Sequence, residues 1–138
     1  MKTWLVDTGA FIAYFNRSDP MHEAVASRLE GFSGQLVTTS AVVTEVMYFL
    51  SDVPHGPVSF SELLLASGTR IEQLTVADVV AAAELMNQYS DTPMDFADAT
   101  LVLLGEKFGI VEILTLDRRG FTTYRMKKNK AFRLVLPA

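Results

Sequence analysis

The stretch from Thr92 to Arg119, TPMDFADATLVLLGEKFGIVEILTLDRR, constrains the fold more than any other part of the chain. It reads as a helix start carrying two aspartates, a nearly all-apolar helix, a short buried strand, and a third aspartate at the strand's end. Thr92 is predicted to cap the helix, Pro93 suits its first turn, and Asp95 falls where a capping-box acid belongs. Asp98 follows one turn later, so both carboxylates lie on one side of the helix. The run Ala97, Ala99, Leu101, Val102, Leu103, Leu104 leaves almost no polar face, which marks a buried helix. Gly109 closes it, and Val111 to Leu116 is a β-rich run that stops at Asp117. Acids entering and leaving such apolar elements are costly unless something pairs with them. A divalent cation is one such partner.

The rest of the chain alternates short strands with helices. Residues 2–6 form a first strand with Asp7 at its carboxyl end, and Thr8-Gly9 opens a helix through Phe15. Asp19-Pro20 starts a second helix through Glu30, where His22 is a surface or capping residue. Gln35 to Thr39 is the next strand, and Ser40 is predicted to cap a helix from Ala41 to Ser51 in which Glu45 is the only charge. After the loop of Pro54, Gly56 and Pro57, Ser59 to Glu62 reads as a capping box for a helix to Ser67. A third strand at Arg70 to Leu74 precedes a second capping pattern, Thr75 to Asp78, and a helix through Gln88. Beyond Asp117, Phe121 to Arg125 is a turn or short helix, and Phe132 to Leu136 is a last strand. Strands alternating with helices imply an α/β domain with a parallel sheet flanked by helices. With 138 residues, one domain spanning 1–138 is expected.

Composition removes several function classes. There is no cysteine, hence no disulfide framework and no thiolate metal site, and a reducing cytoplasm fits. The aspartate at position 7 comes too early for a signal peptide, no apolar run reaches membrane length, and no membrane association is expected. Charge is unevenly spread. Residues 1–117 hold all 16 acids against 5 basic residues, whereas the remainder holds 7 basic residues and no acid. Arg118, Arg119, Arg125, Lys127 and Lys128 fall in that segment, which is either a solvated surface or a place to hold a phosphate backbone. The net charge of −4 argues against a protein living mainly by non-specific nucleic-acid binding.

Four acids thereby acquire positions. Asp7 follows the first strand, Glu45 lies in the helix after the second, Asp98 in the central helix, and Asp117 after the fourth strand. In parallel sheets, ligands bind outside the carboxyl ends of the strands, where these acids would converge. Each has a plain reading as well: Asp7 and Asp95 as helix caps, Glu45 as part of a solvated stripe. Carboxylates gathered without imidazole or thiolate suit a hard ion such as Mg²⁺ or Mn²⁺. Such an ion can activate water and stabilise a phosphoryl transition state.

The segments Val-Asp7-Thr, Thr-Ser-Ala-Val-Val-Thr-Glu45-Val, Met-Asp95-Phe-Ala-Asp98-Ala and Leu-Thr-Leu-Asp117-Arg-Arg-Gly-Phe resemble the PIN-domain nucleases, in particular the VapC-type toxins. The likeness spans nearly the whole chain, with four motifs in order. It implies a PIN-like three-layer fold with a five-stranded parallel sheet, and a Mg²⁺- or Mn²⁺-dependent endoribonuclease of a type II toxin–antitoxin system. It also implies an RNA substrate, a cognate antitoxin protein and a homodimer. By this resemblance Asp7, Glu45, Asp98 and Asp117 match the acidic quartet, Asp95 an additional acid, and Thr8 and Thr115 supporting hydroxyls near the metal. Arg118, Arg119, Arg125, Lys127 and Lys128 would position RNA phosphates.

Rival readings fit less well. A phosphoacceptor signalling domain pairs acids near its first strand, but Asp7 stands alone. An aspartate-nucleophile phosphatase needs an acid where Gly9 stands. A catalytically idle interaction module with the same fold is the remaining alternative.

Overall fold

The computed structural model describes residues 1–137. The chain runs β1 (Thr3–Val6), α1 (Thr8–Phe15), α2 (His22–Glu30), β2 (Gln35–Thr39), α3 (Ser40–Leu50), α4 (Gly56–Ser67), β3 (Arg70–Glu72) and α5 (Val76–Gln88). It continues through α6 (Phe96–Phe108), β4 (Glu112–Leu114), α7 (Arg118–Phe121), β5 (Arg125–Met126), β6 (Lys130–Ala131) and β7 (Arg133–Leu134). Five strands form one sheet in the order β3-β2-β1-β4-β7. Every pairing in it is parallel, so all five carboxyl ends share one edge. The chain reverses its direction of travel across the sheet between β1 and β4, which is where such folds open a crevice for ligands. β5 and β6 form a separate antiparallel hairpin.

The central strands are buried on both faces and are correspondingly apolar: Leu5, Val6, Val37, Ile113 and Leu114 have no exposed surface. Helix α6 packs into this core through Ala97, Ala99, Leu101 and Val102. Full burial of a side chain such as Leu101 is worth about 2 kcal/mol, so several together hold the helix, and its aspartates, against the sheet. On α1 and α4, Phe11 and Phe60 meet edge to face with centroids 5.1 Å apart.

Several boundaries differ from the sequence-based expectation, each for a visible reason. The cap of α6 is Asp95, with extended backbone, and not Thr92; Pro93 stands outside the helix. The preceding segment is drawn elsewhere: Thr92 N–H donates to the Tyr89 carbonyl, and the Pro93 carbonyl accepts from the Tyr124 hydroxyl at 2.6 Å. The Ser59–Glu62 capping box does not form. Helix α4 begins earlier, at Gly56, with Pro57 in its first turn and no side-chain cap. A proline there loses nothing, because the first helical N–H groups have no intrahelical partner. Thr39 caps α3 in place of Ser40, and α2 starts at His22, after a turn in which Asp19 accepts from Met21 N–H. The third and last sheet strands are shorter than expected, at Arg70–Glu72 and Arg133–Leu134. The expected turn after Asp117 is α7, followed by the β5–β6 hairpin, which the sequence did not announce.

Candidate active site

The register of the sheet builds the site. Leu5 pairs with Ile113 and Val6 with Leu114, so the next residues, Asp7 and Thr115, fall side by side at the strand ends. The Thr115 hydroxyl donates to Asp7 Oδ2 at 2.8 Å and accepts from Asp117 N–H at 3.0 Å. One threonine therefore orients the Asp7 carboxylate and anchors the backbone at Asp117. Asp7 caps α1, its Oδ1 accepting from Thr8 N–H at 2.7 Å, as the cap reading required. Thr8 reaches across: its hydroxyl donates to Glu45 Oε1 at 2.6 Å, tying α3 to the end of β1.

Helix α6 delivers the second pair. Asp98 N–H donates to Asp95 Oδ1 at 2.8 Å, and Asp98 Oδ2 accepts from Asp95 N–H at 3.1 Å, a reciprocal capping box. Asp117 caps α7 through Gly120 N–H at 2.9 Å. A side chain at Gly120 would collide with the Asp117 carboxylate, so glycine is what allows the acid to lie against the turn.

The electrostatics show how crowded the basin is. Asp7 is pushed up to about 6, chiefly by burial, with Thr115 and Thr8 opposing and Asp95 and Asp117 adding repulsion. Asp98 is driven up to about 8 by burial, then by the charges of Asp7 and Asp95. Glu45 is raised by burial, an effect the Thr8 hydroxyl opposes and the nearby Asp95 reinforces. Tyr124, packed beside the basin, is raised too, by burial first and then by Asp98, Asp117, Asp95 and Asp7. Among the described residues the ion pairs are Arg70–Glu72 and Arg133–Glu112, and neither touches this group. Neutral hydroxyl and amide donors hold these acids in place, and among the described residues none of them is ion-paired.

The donor set fits a hard divalent ion. It is made of carboxylate and hydroxyl oxygens, without sulfur or imidazole. Among the described residues no three acidic or imidazole side chains close into a ready-made cage. A hard ion held by one or two carboxylates, with water and substrate phosphates completing its shell, needs no such cage.

Of the expected site residues, Asp7, Thr8, Glu45, Asp95, Asp98, Thr115 and Asp117 are brought together at the sheet's carboxyl edge. The basic residues divide. Arg118 and Arg119 open α7 directly after Asp117, although the Arg118 guanidinium donates to the Leu136 carbonyl at 2.7 Å. Arg125 is spent on the carbonyls of Thr122, Thr123 and Tyr124. Lys127 and Lys128 sit at the hairpin turn beside Glu106, toward the far end of α6 from the acids. Two participants escaped the sequence reading. Tyr124 braces the segment before Asp95 through the Pro93 carbonyl, and a Thr39–Thr100 hydroxyl contact of 2.9 Å locks β2 to α6. The apolar setting of Thr100 on α6 was the available signal for the second; Tyr124 carried none. A cavity of about 590 Å³ lies elsewhere, lined by Lys2, Trp4, Arg28 and Phe32, with none of the acids in its wall.

Fold and site together define a parallel α/β domain with an all-carboxylate basin at its strand ends. The PIN-domain family model matches residues 4–127. The chain belongs to the PIN-domain family, and its relatives are VapC toxins. It is 32% identical over 123 residues to ribonuclease VapC26 of Mycobacterium tuberculosis strain H37Rv, a match covering 88% of this chain and 91% of that protein. Its fold is similar to the crystal structure of M. tuberculosis VapC20, a sarcin–ricin-loop-cleaving toxin, at a TM-score of 0.75 and 22% identity, covering 83% of this chain and 89% of that one. It is also similar to VapBC2 of Rickettsia felis, solved bound to a promoter DNA fragment, at a TM-score of 0.66 and 12% identity, covering 96% and 98%.

Proposed function

We propose that this protein is a divalent-metal-dependent endoribonuclease, the toxin component of a type II toxin–antitoxin pair. The observation that carries the reading is the basin of acids, none of them ion-paired among the described residues, at the switch point of a PIN-domain sheet. The ribonuclease name of the VapC26 relative and the RNA-cleaving description of VapC20 support it.

Asp7, Asp98 and Asp117 would hold Mg²⁺ or Mn²⁺, with Asp95 at the margin of the set. A bound ion supplies Lewis acidity, toward the attacking water and toward the phosphoryl oxygens. The chain's own residues do the rest. Thr115 fixes the Asp7 carboxylate and the backbone at Asp117, and the Asp95–Asp98 box fixes the first turn of α6. Glu45, held by Thr8 and raised by burial, is the group that holds the attacking water or takes its proton. Arg118 and Arg119 place positive charge beside Asp117, where the RNA backbone arrives.

The exposed apolar side chains of α3 and α4, including Tyr48, Phe49, Val58 and Leu65, form surface for a second copy and for the antitoxin. A similarly folded chain from Klebsiella pneumoniae was solved in a toxin–antitoxin complex. Among the described residues no helix is long and apolar enough to cross a membrane. The cytoplasm is the compartment this reading implies, since RNA and antitoxin are met there.

The test is cleavage of labelled small RNA by the purified protein in Mg²⁺, in Mn²⁺ and with chelator, beside Asp98→Asn prepared identically. Discrete products that need the ion and disappear in the variant are expected. Products that persist in chelator, or survive in the variant, would sink the mechanism.

A further inference from the structure

Away from the acids, the hairpin and the end of α5 enclose a groove of about 330 Å³ whose wall includes Gln88, Tyr89, Glu106, Arg125, Lys127 and Asn129. The groove is coupled to the basin through one aromatic contact. Tyr89 meets Tyr124 edge to face at 5.2 Å, and Tyr124 holds the Pro93 carbonyl just ahead of Asp95. Its outer end, at Glu106, lies roughly 16 Å from Asp95 along the helix axis at about 1.5 Å of rise per residue.

The turn between β5 and β6 is built in an unusual way. Lys128 and Asn129 both have left-handed backbone, with φ of 62° and 58°, a region that a lysine rarely adopts. Glycine would satisfy this turn more easily, yet the sequence reads Lys127-Lys128-Asn129-Lys130. The conformation is held by Glu106, whose carboxylate accepts the Lys127 N–H at 2.6 Å, and by the Tyr89 hydroxyl, which accepts the Arg125 N–H at 3.0 Å. Lys127, Lys128 and Lys130 are exposed. Strain kept in place by its surroundings is common where a side chain must be presented. What is presented here is a run of exposed lysines, of which Lys127 lines a groove that also holds a tyrosine ring and two amide side chains.

We infer that this groove is a nucleotide subsite, taking one unpaired nucleotide of the RNA outside the position that is cut. The base stacks on Tyr89, its edge meets the amides of Gln88 and Asn129, and the flanking phosphates rest on Lys127 and Lys128. Aromatic stacking requires a base free of its helix, so the occupant is single-stranded. Tyr89 and the lysine turn thus form a second grip on the substrate, added to that at Arg118 and Arg119. The inference rests on the ribonuclease reading.

The test compares labelled single-stranded RNAs of about four and about twelve nucleotides, a range that brackets common single-strand site sizes. The full chain and a Lys127→Ser/Lys128→Gly/Asn129→Gly variant are measured side by side, in Mg²⁺ and Mn²⁺. The two glycines suit the left-handed positions, so the thermal midpoint should hold. The wild type should favour the long RNA, and the long-to-short ratio of kcat/KM should fall about tenfold in the variant. Binding measured in the Asp98→Asn background should show a salt dependence shallower by about 1.4 in log–log slope, the loss of two single-strand phosphate contacts. Tyr89→Phe keeps the ring but drops the hydroxyl that helps hold the turn, so it should retain part of the long-RNA preference, and Tyr89→Leu should lose it. A ratio and a salt slope that do not move in the turn variant overturn the subsite and leave the nuclease intact. A wild type that cuts neither RNA with either ion overturns the nuclease reading, and the subsite falls with it.

Discussion

The chain contains the same capping box twice. On α5, the Thr75 hydroxyl accepts from Asp78 N–H and the Asp78 carboxylate accepts from Thr75 N–H at 2.8 Å. On α6, Asp95 and Asp98 make the same two bonds. Local structure is thus shared, but the electrostatics are opposite. Asp78 is exposed, and its backbone bond to Thr75 lowers it below the usual carboxylate range. Asp98 is buried beside Asp7 and a second acid occupies its cap, so it rises to about 8. A threonine also satisfies a helix end, as Thr75 does on α5. The second carboxylate at Asp95 therefore adds repulsion that helix capping did not require. On α5 the box serves the helix; on α6 the helix and its box serve the acidic basin.

The widest separation between the two boxes should appear in catalysis. Asp98→Asn is expected to reduce metal-dependent RNA cleavage by roughly a hundred- to a thousandfold, the scale of losing one preorganised electrostatic group. Asp78→Asn, on the exposed box, should cleave like the parent. Equal loss in both variants would mean that the acids act through helix stability alone.

Next in size is a reversal of sign in stability. Asp98 in the folded, metal-free protein sits far above the 3.8 of an unperturbed aspartate. Its protonated form therefore stabilises the fold fully below about that unperturbed value, and this is lost as pH rises toward 8. Asparagine mimics the protonated acid. In chelator, Asp98→Asn should melt higher than the parent at pH 8, with the difference shrinking toward pH 4. Asp78 is lowered, so its contribution is present above the unperturbed value and lost in stronger acid, and Asp78→Asn should melt slightly lower at pH 7. Thermal melts of both variants across that pH range decide the matter. A divalent ion should invert the order for Asp98 by raising the melting point of the parent and not of the variant. Because protons must leave before the ion enters, that gain should be larger at pH 8 than at pH 6.

How much of this was legible in the sequence follows from which rules are local and which are not. Asp7 and Asp117 could be placed because a strand that ends in an acid needs only a parallel sheet to bring the acid to the common edge. Glu45 followed from being the lone charge in an apolar helix. The start of α6 was misplaced at Thr92 because the competing bonds come from Tyr89 and Tyr124, neither of which a local pattern links to Pro93. Helix α4 was misplaced because a good box at Ser59 lost to Pro57, whose fixed φ had already begun the helix. The hairpin was missed since Lys128 and Asn129 occupy positions where turn chemistry favours glycine. In each case the deciding partner lies elsewhere in the fold, or a residue adopts an unfavoured conformation held by tertiary contacts.

The smallest expected effects come from the residues that orient the acids. Thr115→Val removes the hydroxyl that donates to Asp7 and receives Asp117 N–H, while keeping the β-branched shape in its buried site. Thr115→Ser keeps the hydroxyl. Loss of an outer partner of a metal ligand costs roughly ten- to a hundredfold, so Thr115→Val should fall in that range and Thr115→Ser near the parent. The corresponding change on the other box, Thr75→Ala, should cost about 1 kcal/mol of stability and no activity per folded molecule. The pairing discriminates because Thr75 holds a helix and Thr115 holds acids of the basin. If Thr115→Val reduced activity only in proportion to its loss of folded protein, Thr115 would belong with Thr75, and the orientation of Asp7 would have to come from Thr8 N–H alone.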